Sequence, residues 1–251
     1  MSGAATRVVD LLHREAAGGG VRVQGWLKTA RHGKGVSFLE VSDGSCMAGI
    51  QVVAEPALAN YATEVLALRT GCAIEAEGEL VESPAAGQRF EIRAARVTGI
   101  GPVGDDYPLQ KKRHSFEFLR TLGHLRMRTN TLGAVMRVRH AASRAIRRFF
   151  DERGFLELHT PILSTSDCEG AGSMFRATHF DPASAPRTPD GATDWSRDFF
   201  ARPAFLTVSG QLEAEIGALA LSRVYSFGPA ARADNSNTSR HLAEFWMVEP
   251  E

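Results

Sequence analysis

Between Phe227 and Glu251 the chain reads FGPAARADNSNTSRHLAEFWMVEPE, and side chains that handle charged and planar ligands crowd into it. Period-two alternation on both sides of a polar break at Asn235 to Ser239 predicts two antiparallel strands joined by a loop. Arg232 and Asp234, two apart, then share one face of the first strand. On the return strand His241, Ala243, Phe245 and Met247 share one face, and Leu242, Glu244, Trp246 and Val248 the other. If the Arg232 face meets the Phe245 face, a guanidinium, a carboxylate, an imidazole and a flat ring converge on one patch. A nucleotide needs that set: a planar fork for phosphate, a surface for the base and polar groups for the rest. The plain alternative is an amphipathic hairpin with Arg232 and Asp234 in water.

The rest of the chain must position that hairpin. Its 251 residues suffice for one large or two small domains with real cores. Lys plus Arg and Asp plus Glu are equal at 29 each, so a nucleic-acid partner has to be held by local patches and shape rather than by bulk charge. Cys46, Cys72 and Cys168 are odd in number and never in CxxC spacing, which argues against a disulfide framework and a structural zinc and for a reducing interior. The start, MSGAATRVVDLLHREAAGGG, lacks a basic segment followed by an apolar core, and no later run reaches membrane-spanning length. A soluble, cytoplasmic protein is the expectation.

Arg7 to Glu15 reads as a short helix closed by three glycines. From Val21 to about Ile100 five short apolar alternations follow, with Pro56 to Leu68 helix-like between the third and fourth. That order is the order of an OB barrel, a fold that often binds single-stranded nucleic acid. Gly101 to Asn130 reads as a connector with a basic stripe that includes Lys111, Lys112 and Arg113; solvated surface and RNA-backbone contact are both open readings. Val135, Val138, Ala142, Ala145 and Phe149 then keep helical spacing from Thr131 to Arg153, and the strand GFLELHTPIL follows. Thr165 to Phe175 is loop-like; it holds no phosphate-cradling glycine pattern, and Glu169 there suits an ammonium better than a phosphate. Arg176 to Phe200 reads as a polar surface excursion with no assigned role, and AFLTVSGQLEAEIG as a strand running into a helix.

Arg232-x-Asp234, the polar loop and Arg240-His241-Leu242-x-Glu244-Phe245 together resemble motif 2 of class II aminoacyl-tRNA synthetases, in the form typical of the asparaginyl and aspartyl enzymes of the aspartyl, asparaginyl and lysyl subgroup. The helix, strand and Pro161 resemble motif 1, which in that family forms the dimer interface. GWLKTARHGKGVSFLEVSDGS followed by GIQVV resembles the anticodon-binding domain of the same enzymes. By that resemblance Phe38 stacks on an anticodon base, while Arg31 and Gln51 read base edges or backbone; a buried barrel residue is the competing expectation for Phe38.

The implied fold is an N-terminal all-β OB barrel followed by an α+β class II synthetase catalytic domain, an antiparallel sheet with flanking helices. The organisation expected is a short helix over 1–20, the anticodon-binding domain over 21–100, a hinge over 101–130 and the N-terminal part of the catalytic domain over 131–251. Motif 1 then spans residues 134–163 and motif 2 residues 224–251. The glycine-rich motif 3 of the family is not found before Glu251, so the catalytic domain reads as incomplete and the chain as part of a longer synthetase.

The resemblance implies ligation of asparagine to tRNA(Asn) through an adenylate, using ATP and Mg2+, in a homodimer. Arg232 would bridge the substrate carboxylate and the α-phosphate, Phe245 would stack on adenine, and Asp234 and His241 would hold the nucleotide. Glu169 would meet the substrate ammonium, with Gln211, Ala214 and Glu215 around the amino-acid side chain; no protein metal ligand is expected. Aspartyl enzymes carry a lysine where Ala214 stands, and a buried carboxylate without a cation is costly, so a neutral amide is the better substrate. The family usually has glutamate at the places of Ser173 and Asp234 and phenylalanine at that of Ala231, which predicts altered loop closure, a shorter ligand arm and a packing void. Two other readings stand beside this one: a non-catalytic RNA-binding barrel protein or inactive fragment, and a relative that also accepts aspartate.

Overall fold

The structure, a computed structural model, describes residues 4–168, 173–236, 238 and 240–251. It divides into two compact units, 1–139 and 140–251.

In the first unit β1 (Gly20–His32), β2 (Ser37–Ser42), β3 (Ile50–Ala54), β4 (Ala73–Glu82) and β5 (Phe90–Gly101) close into a barrel in the order β1-β2-β3-β5-β4. The alternation that predicts these strands also fills the barrel: Val23, Leu39, Val41, Val52, Ile74, Leu80 and Ile92 are fully buried, while their neighbours face out. The N-terminal helix α1 (Val8–Leu12) is shorter than expected and belongs to this core, since Val8 and Leu11 are both fully buried in it. Its free N-terminal amides are met by the loop after β2, Val8 N donating to Asp43 Oδ2 at 2.8 Å and Val9 N to Ser45 Oγ at 3.0 Å.

The helix expected over Pro56 to Leu68 does not form; the segment is a run of turns ending in a 3-10 turn at Val65–Ala67. Tyr61, Val65 and Leu68 are buried at helical spacing, as the sequence suggests. The segment is tied to β5, with Asn60 Nδ2 donating to Val97 O at 2.7 Å and Glu64 Oε1 accepting from Gly99 N, as well as to its own turns through bonds such as Glu64 N to Asn60 O at 2.9 Å. The connector is also more ordered than a hinge: it holds α2 (Phe116–Thr121), capped by Ser115, and a 3-10 turn at Arg126–Arg128. The long helix α3 (Asn130–Asp151) follows and ends before Gly154, whose φ of 74° suits glycine.

In the second unit β6 (Leu156–Leu158), β7 (Leu163–Ser164), β8 (Arg176–Ala177), β9 (Ala204–Leu206), α4 (Gln211–Leu221), β10 (Val224–Ala231) and β11 (Glu244–Pro250) make two small sheets, β11-β10-β6 and β7-β9-β8. β10 and β11 are antiparallel as expected, whereas β6 joins β10 in parallel. The long connection from β6 to β10, which includes α4, permits that parallel pairing. α4 seats closely on this sheet: a Cβ on Gly217 would overlap Leu158. The stretch 176–200 is folded rather than featureless. Arg176 lies over the Trp195 ring at 4.4 Å and the Phe205 ring at 5.0 Å, and Asp198, buried, binds His179.

Candidate active site

The register Ala230↔Phe245, Gly228↔Met247 and Ser226↔Glu249 puts those six residues on one face of the β10–β11 pair. Arg232 continues the face, its backbone N–H donating to Ala243 O at 2.9 Å just beyond the strand. The guanidinium carbon of Arg232 lies 5.5 Å from the centre of the Phe245 ring. The two groups therefore share a face. Arg232 is half-buried, and its Nε is buried with no hydrogen-bond partner among the described residues. A buried donor left unpaired costs about 1–3 kcal/mol, and an anionic oxygen would remove that cost.

Asp234 and His241 lie beyond the strand ends, each in a bond of its own. Asp234 Oδ1 accepts from Ser173 N at 3.3 Å, and His241 Nδ1 shares a hydrogen bond with Thr238 Oγ1. The strands stop short of the expected bounds, at Ala231 and from Glu244, and between them Ser236 Oγ accepts from Thr238 N in a local turn. Ser173 and Asp234, both departures from the family pattern, thus meet each other, and Ala233 N also donates to Ser173 O at 2.7 Å. Ala231, the third departure, is buried at 7 % exposure, with its N–H bound to Thr207 O at 2.8 Å. Glu169 lies outside the described residues.

The helix α4 brings the remaining candidates. Ala214 is fully buried; Gln211 Nε2 donates to the exposed Glu215 Oε1 at 2.9 Å and Gln211 Oε1 accepts from Cys168 Sγ at 3.6 Å. Sequence reasoning missed the carboxylate that ties this helix to the hairpin. Glu249 accepts from Gly210 N at 3.0 Å, from Ser226 Oγ at 2.9 Å and from Ser209 Oγ. The signal was present: Glu249 is two and four residues from Met247 and Phe245 and so lies on their face. Gly210 allows the approach, since a Cβ there would come within 2.5 Å of Thr160 Oγ1 and 3.0 Å of Ser226 Oγ. Glu249 thereby fixes the start of α4 against the sheet that carries Phe245 and Arg232.

The opposite face of the sheet is a support. Arg147 forks onto Glu157, with Nε at 2.8 Å and Nη2 at 3.0 Å, and Tyr225 OH donates to the same carboxylate at 3.0 Å. Burial pushes the Glu157 carboxyl up, yet the bonds from Arg147 and Tyr225 outweigh it and hold the group below its ordinary value. Burial and the bond to Glu157 push the Tyr225 hydroxyl up to about 12. Phe150 stacks on Tyr225 with ring centres 4.5 Å apart. This face stays ionised and locked at neutral pH, so it can orient the sheet without taking part in proton transfer.

On the barrel, the three expected base-reading residues stand together. Phe38 pairs across strands with Arg31 on the outer side of β2, so it is not the buried barrel residue of the competing expectation. The Arg31 guanidinium lies 5.5 Å from the Phe38 ring centre and donates to Gln51 Oε1 at 3.3 Å; Gln51 in turn donates to Glu91 Oε2 at 3.0 Å. An aromatic surface flanked by a cation and an amide is what a single-stranded base requires.

Comparison with known proteins bears on both places. Residues 116–251, more than half of the chain, match the family model described as tRNA synthetases class II (D, K and N), and residues 21–99 match the OB-fold nucleic acid binding domain. The chain is 58% identical over 246 residues to the asparagine–tRNA ligase of Picosynechococcus sp. and 59% identical over 245 residues to that of Geobacter sulfurreducens. Each comparison covers 98% of this chain and 54% or 53% of the relative, so the chain spans about half the length of the curated relatives it matches. Among solved structures, the asparaginyl-tRNA synthetase of Pyrococcus horikoshii complexed with asparaginyl-adenylate superposes with a TM-score of 0.79 at 25% identity, over 98% of this chain and 52% of that one. With a barrel of the nucleic-acid-binding kind before a sheet whose Arg232 and Phe245 share one face, and with a family model covering residues 116–251, the chain belongs to the class II tRNA synthetases of the D, K and N group.

Proposed function

We propose that this chain contributes to ATP-dependent ligation of asparagine to tRNA(Asn). The observation that carries the reading is the Arg232 guanidinium, 5.5 Å from the Phe245 ring on one sheet face with a buried, unpartnered Nε. A substrate carboxylate oxygen attacks the α-phosphorus of ATP, a P–O bond breaks, and pyrophosphate leaves; the terminal ribose hydroxyl of the tRNA then takes the aminoacyl group and AMP leaves. Both reactants of the first step are anionic, so charge neutralisation and positioning dominate, and Arg232 supplies them between carboxylate and phosphate. The carboxylate is already ionised at neutral pH, so the step needs no general base. Phe245 holds adenine by stacking, Asp234 and His241 act on the nucleotide from the loop, and Glu169, Gln211, Ala214 and Glu215 surround the amino acid. The fully buried, uncharged Ala214 favours the amide of asparagine over the carboxylate of aspartate.

Among the described residues no three His, Cys, Asp or Glu side chains converge, and Glu249 already accepts three hydrogen bonds. Mg2+ is ordinarily held by one or two carboxylates together with substrate phosphates, so it would arrive with ATP, and the neutralisation assigned to this chain's own described side chains rests on Arg232. On the barrel, Phe38, Arg31 and Gln51 receive the anticodon. A homodimer forms through α3 and β6; the half-exposed Val135, Met136 and Phe149 and the more exposed Val138 support that reading. Cytoplasmic residence fits the free Cys46, Cys72 and Cys168 and the lack, among described residues, of a helix long and apolar enough to cross a membrane.

The test is asparagine-dependent exchange of pyrophosphate into ATP, alongside calorimetric binding of a non-hydrolysable asparaginyl-adenylate analogue to the 251-residue chain. Analogue binding that is lost in Arg232→Ala supports the reading. Neither exchange nor binding, with RNA binding retained, leaves the barrel as the sole functional part; preference for aspartate over asparagine overturns the role given to Ala214.

A further inference from the structure

Within residues 1–139 the barrel wall and the segment after β5 border a cavity of about 1220 Å3 that shares no residue with the Arg232 site. Its lining includes Lys28, Lys111, Lys112, Arg113, Arg128 and Arg137, and among the described residues that line it none is Asp or Glu. The chain as a whole has equal numbers of both signs, so the excess is local. Part of it is fixed in place. Arg128 lies 4.5 Å over the Trp26 ring and donates to Tyr107 OH at 3.4 Å, while Arg137 donates to Gly44 O at 2.6 Å and to Gly133 O at 3.2 Å. Lys28 sits 3.5 Å from Glu40, which balances its charge, whereas Lys111, Lys112 and Arg113 are exposed.

Aromatic and sulfur-bearing side chains complete the lining. Trp26 is 41% exposed, Phe116 54% and Met127 45%, so flat apolar surface is open beside the cations. We propose that this cavity binds a phosphorylated nucleoside, its base against Trp26 and its phosphates against Lys111, Lys112, Arg113 and Arg128. Arg128 covers part of the indole, and the rest of the lining fits a nucleotide: cations alone suit any anion, and an exposed indole beside them selects a planar ring attached to it. The volume exceeds the ~300–1000 Å3 of ordinary small-molecule pockets, which leaves room for a polyphosphate tail or a neighbouring nucleotide unit. Trp26 also lies on the same outward side of β1 as Arg31, as shown by their pairing with the outward Ser42 and Phe38, so a nucleotide here can be free or part of an RNA strand that follows the barrel wall.

The experiment uses the 251-residue chain carrying Arg232→Ala and Phe245→Ala, so that failure of the proposed active site does not enter the result. Tryptophan fluorescence is followed during titration with ATP, with a short single-stranded RNA oligonucleotide and with inorganic tripolyphosphate. Saturable quenching by ATP assigns the cavity to a free nucleotide; quenching by the oligonucleotide alone assigns it to a unit of RNA. In either case Trp26→Phe should remove the signal, and the exposed triple substitution Lys111→Ala, Lys112→Ala, Arg113→Ala should weaken binding about tenfold or more. The proposal is overturned if tripolyphosphate binds as tightly as both nucleotide probes, if the triple substitution leaves affinity unchanged, or if neither nucleotide probe binds at millimolar concentration.

Discussion

The barrel and the β10–β11 sheet carry their candidate sites on different kinds of support. Around the barrel site the core is a continuous apolar cluster from Val8 to Val97, and the closed sheet has no open edge. Arg31, Phe38 and Gln51 stand on its outer wall already bonded to one another, so the ligand meets a preformed surface. In the second unit the buried side chains are fewer and, Tyr225 apart, mostly small, and large apolar groups such as Ile216 at 69% and Leu219 at 91% lie open. Polar ties take over there: Glu249 pins α4 to the hairpin, and Arg147, Glu157 and Tyr225 lock the back of the sheet. Apolar closure thus supports the face proposed to receive a base, whereas the face proposed to neutralise charge is supported by directional bonds.

Substitution can break that contrast. Leu39→Ala, at a fully buried barrel position, is expected to cost about 2–5 kcal/mol in urea unfolding, whereas Leu219→Ala should stay within about 0.5 kcal/mol. Equal costs would show that the second unit relies on apolar burial as much as the barrel does. Arg232→Lys keeps the charge and loses the planar fork, and pyrophosphate exchange is expected to fall by about 10²–10³-fold with RNA binding unchanged. A fall in both would mean that the two sites are not separable. Phe38→Ala should weaken anticodon-stem binding by about 1–3 kcal/mol and leave exchange of free ATP unaffected; an unchanged affinity would remove the stacking role.

The smallest effect expected is in acid. Burial pushes the Asp198 carboxyl up, but bonds from Thr178, from the backbone of Phe199 and His179 and from the His179 ring outweigh it and bring the value down to about 2. The folded value is the lower one, so the stabilisation is complete above the unfolded value of about 3.9 and disappears as pH falls from there towards 2. Near-ultraviolet circular dichroism of Trp195, which follows this loop, should lose signal across that window in the parent chain. Asp198→Asn should flatten the response; an unaltered acid transition would sever the link between this carboxylate and the polar-tied unit.

Much of the fold was legible. Alternation or short apolar runs marked all five barrel strands, and the spacing from Val135 to Phe149 marked α3 to within a residue or two at each end. Pro56 to Leu68 was not, because its apolar spacing is helical while Asn60 and Glu64 bind β5, a contact that local pattern cannot reveal. Of the hairpin residues, Arg232 and Phe245 fell where alternation put them, while Asp234 is bound to Ser173 N and His241 to the Thr238 side chain beyond the strand ends. The family pattern led to Gln211 and Ala214 but not to Glu249, whose three donors come from two segments far from it in sequence.

By itself the sequence determined which side chains share a face, because a strand's period of two and a helix's period of 3.6 are properties of the backbone. It determined as well that the barrel would close over an apolar interior. Only the tertiary structure decided which faces meet: that Phe38 points outward, that Glu249 reaches the start of α4, and that six cations line the same cavity as Trp26. Those outcomes depend on strand register and on contacts between residues distant along the chain, and neither is encoded in local periodicity.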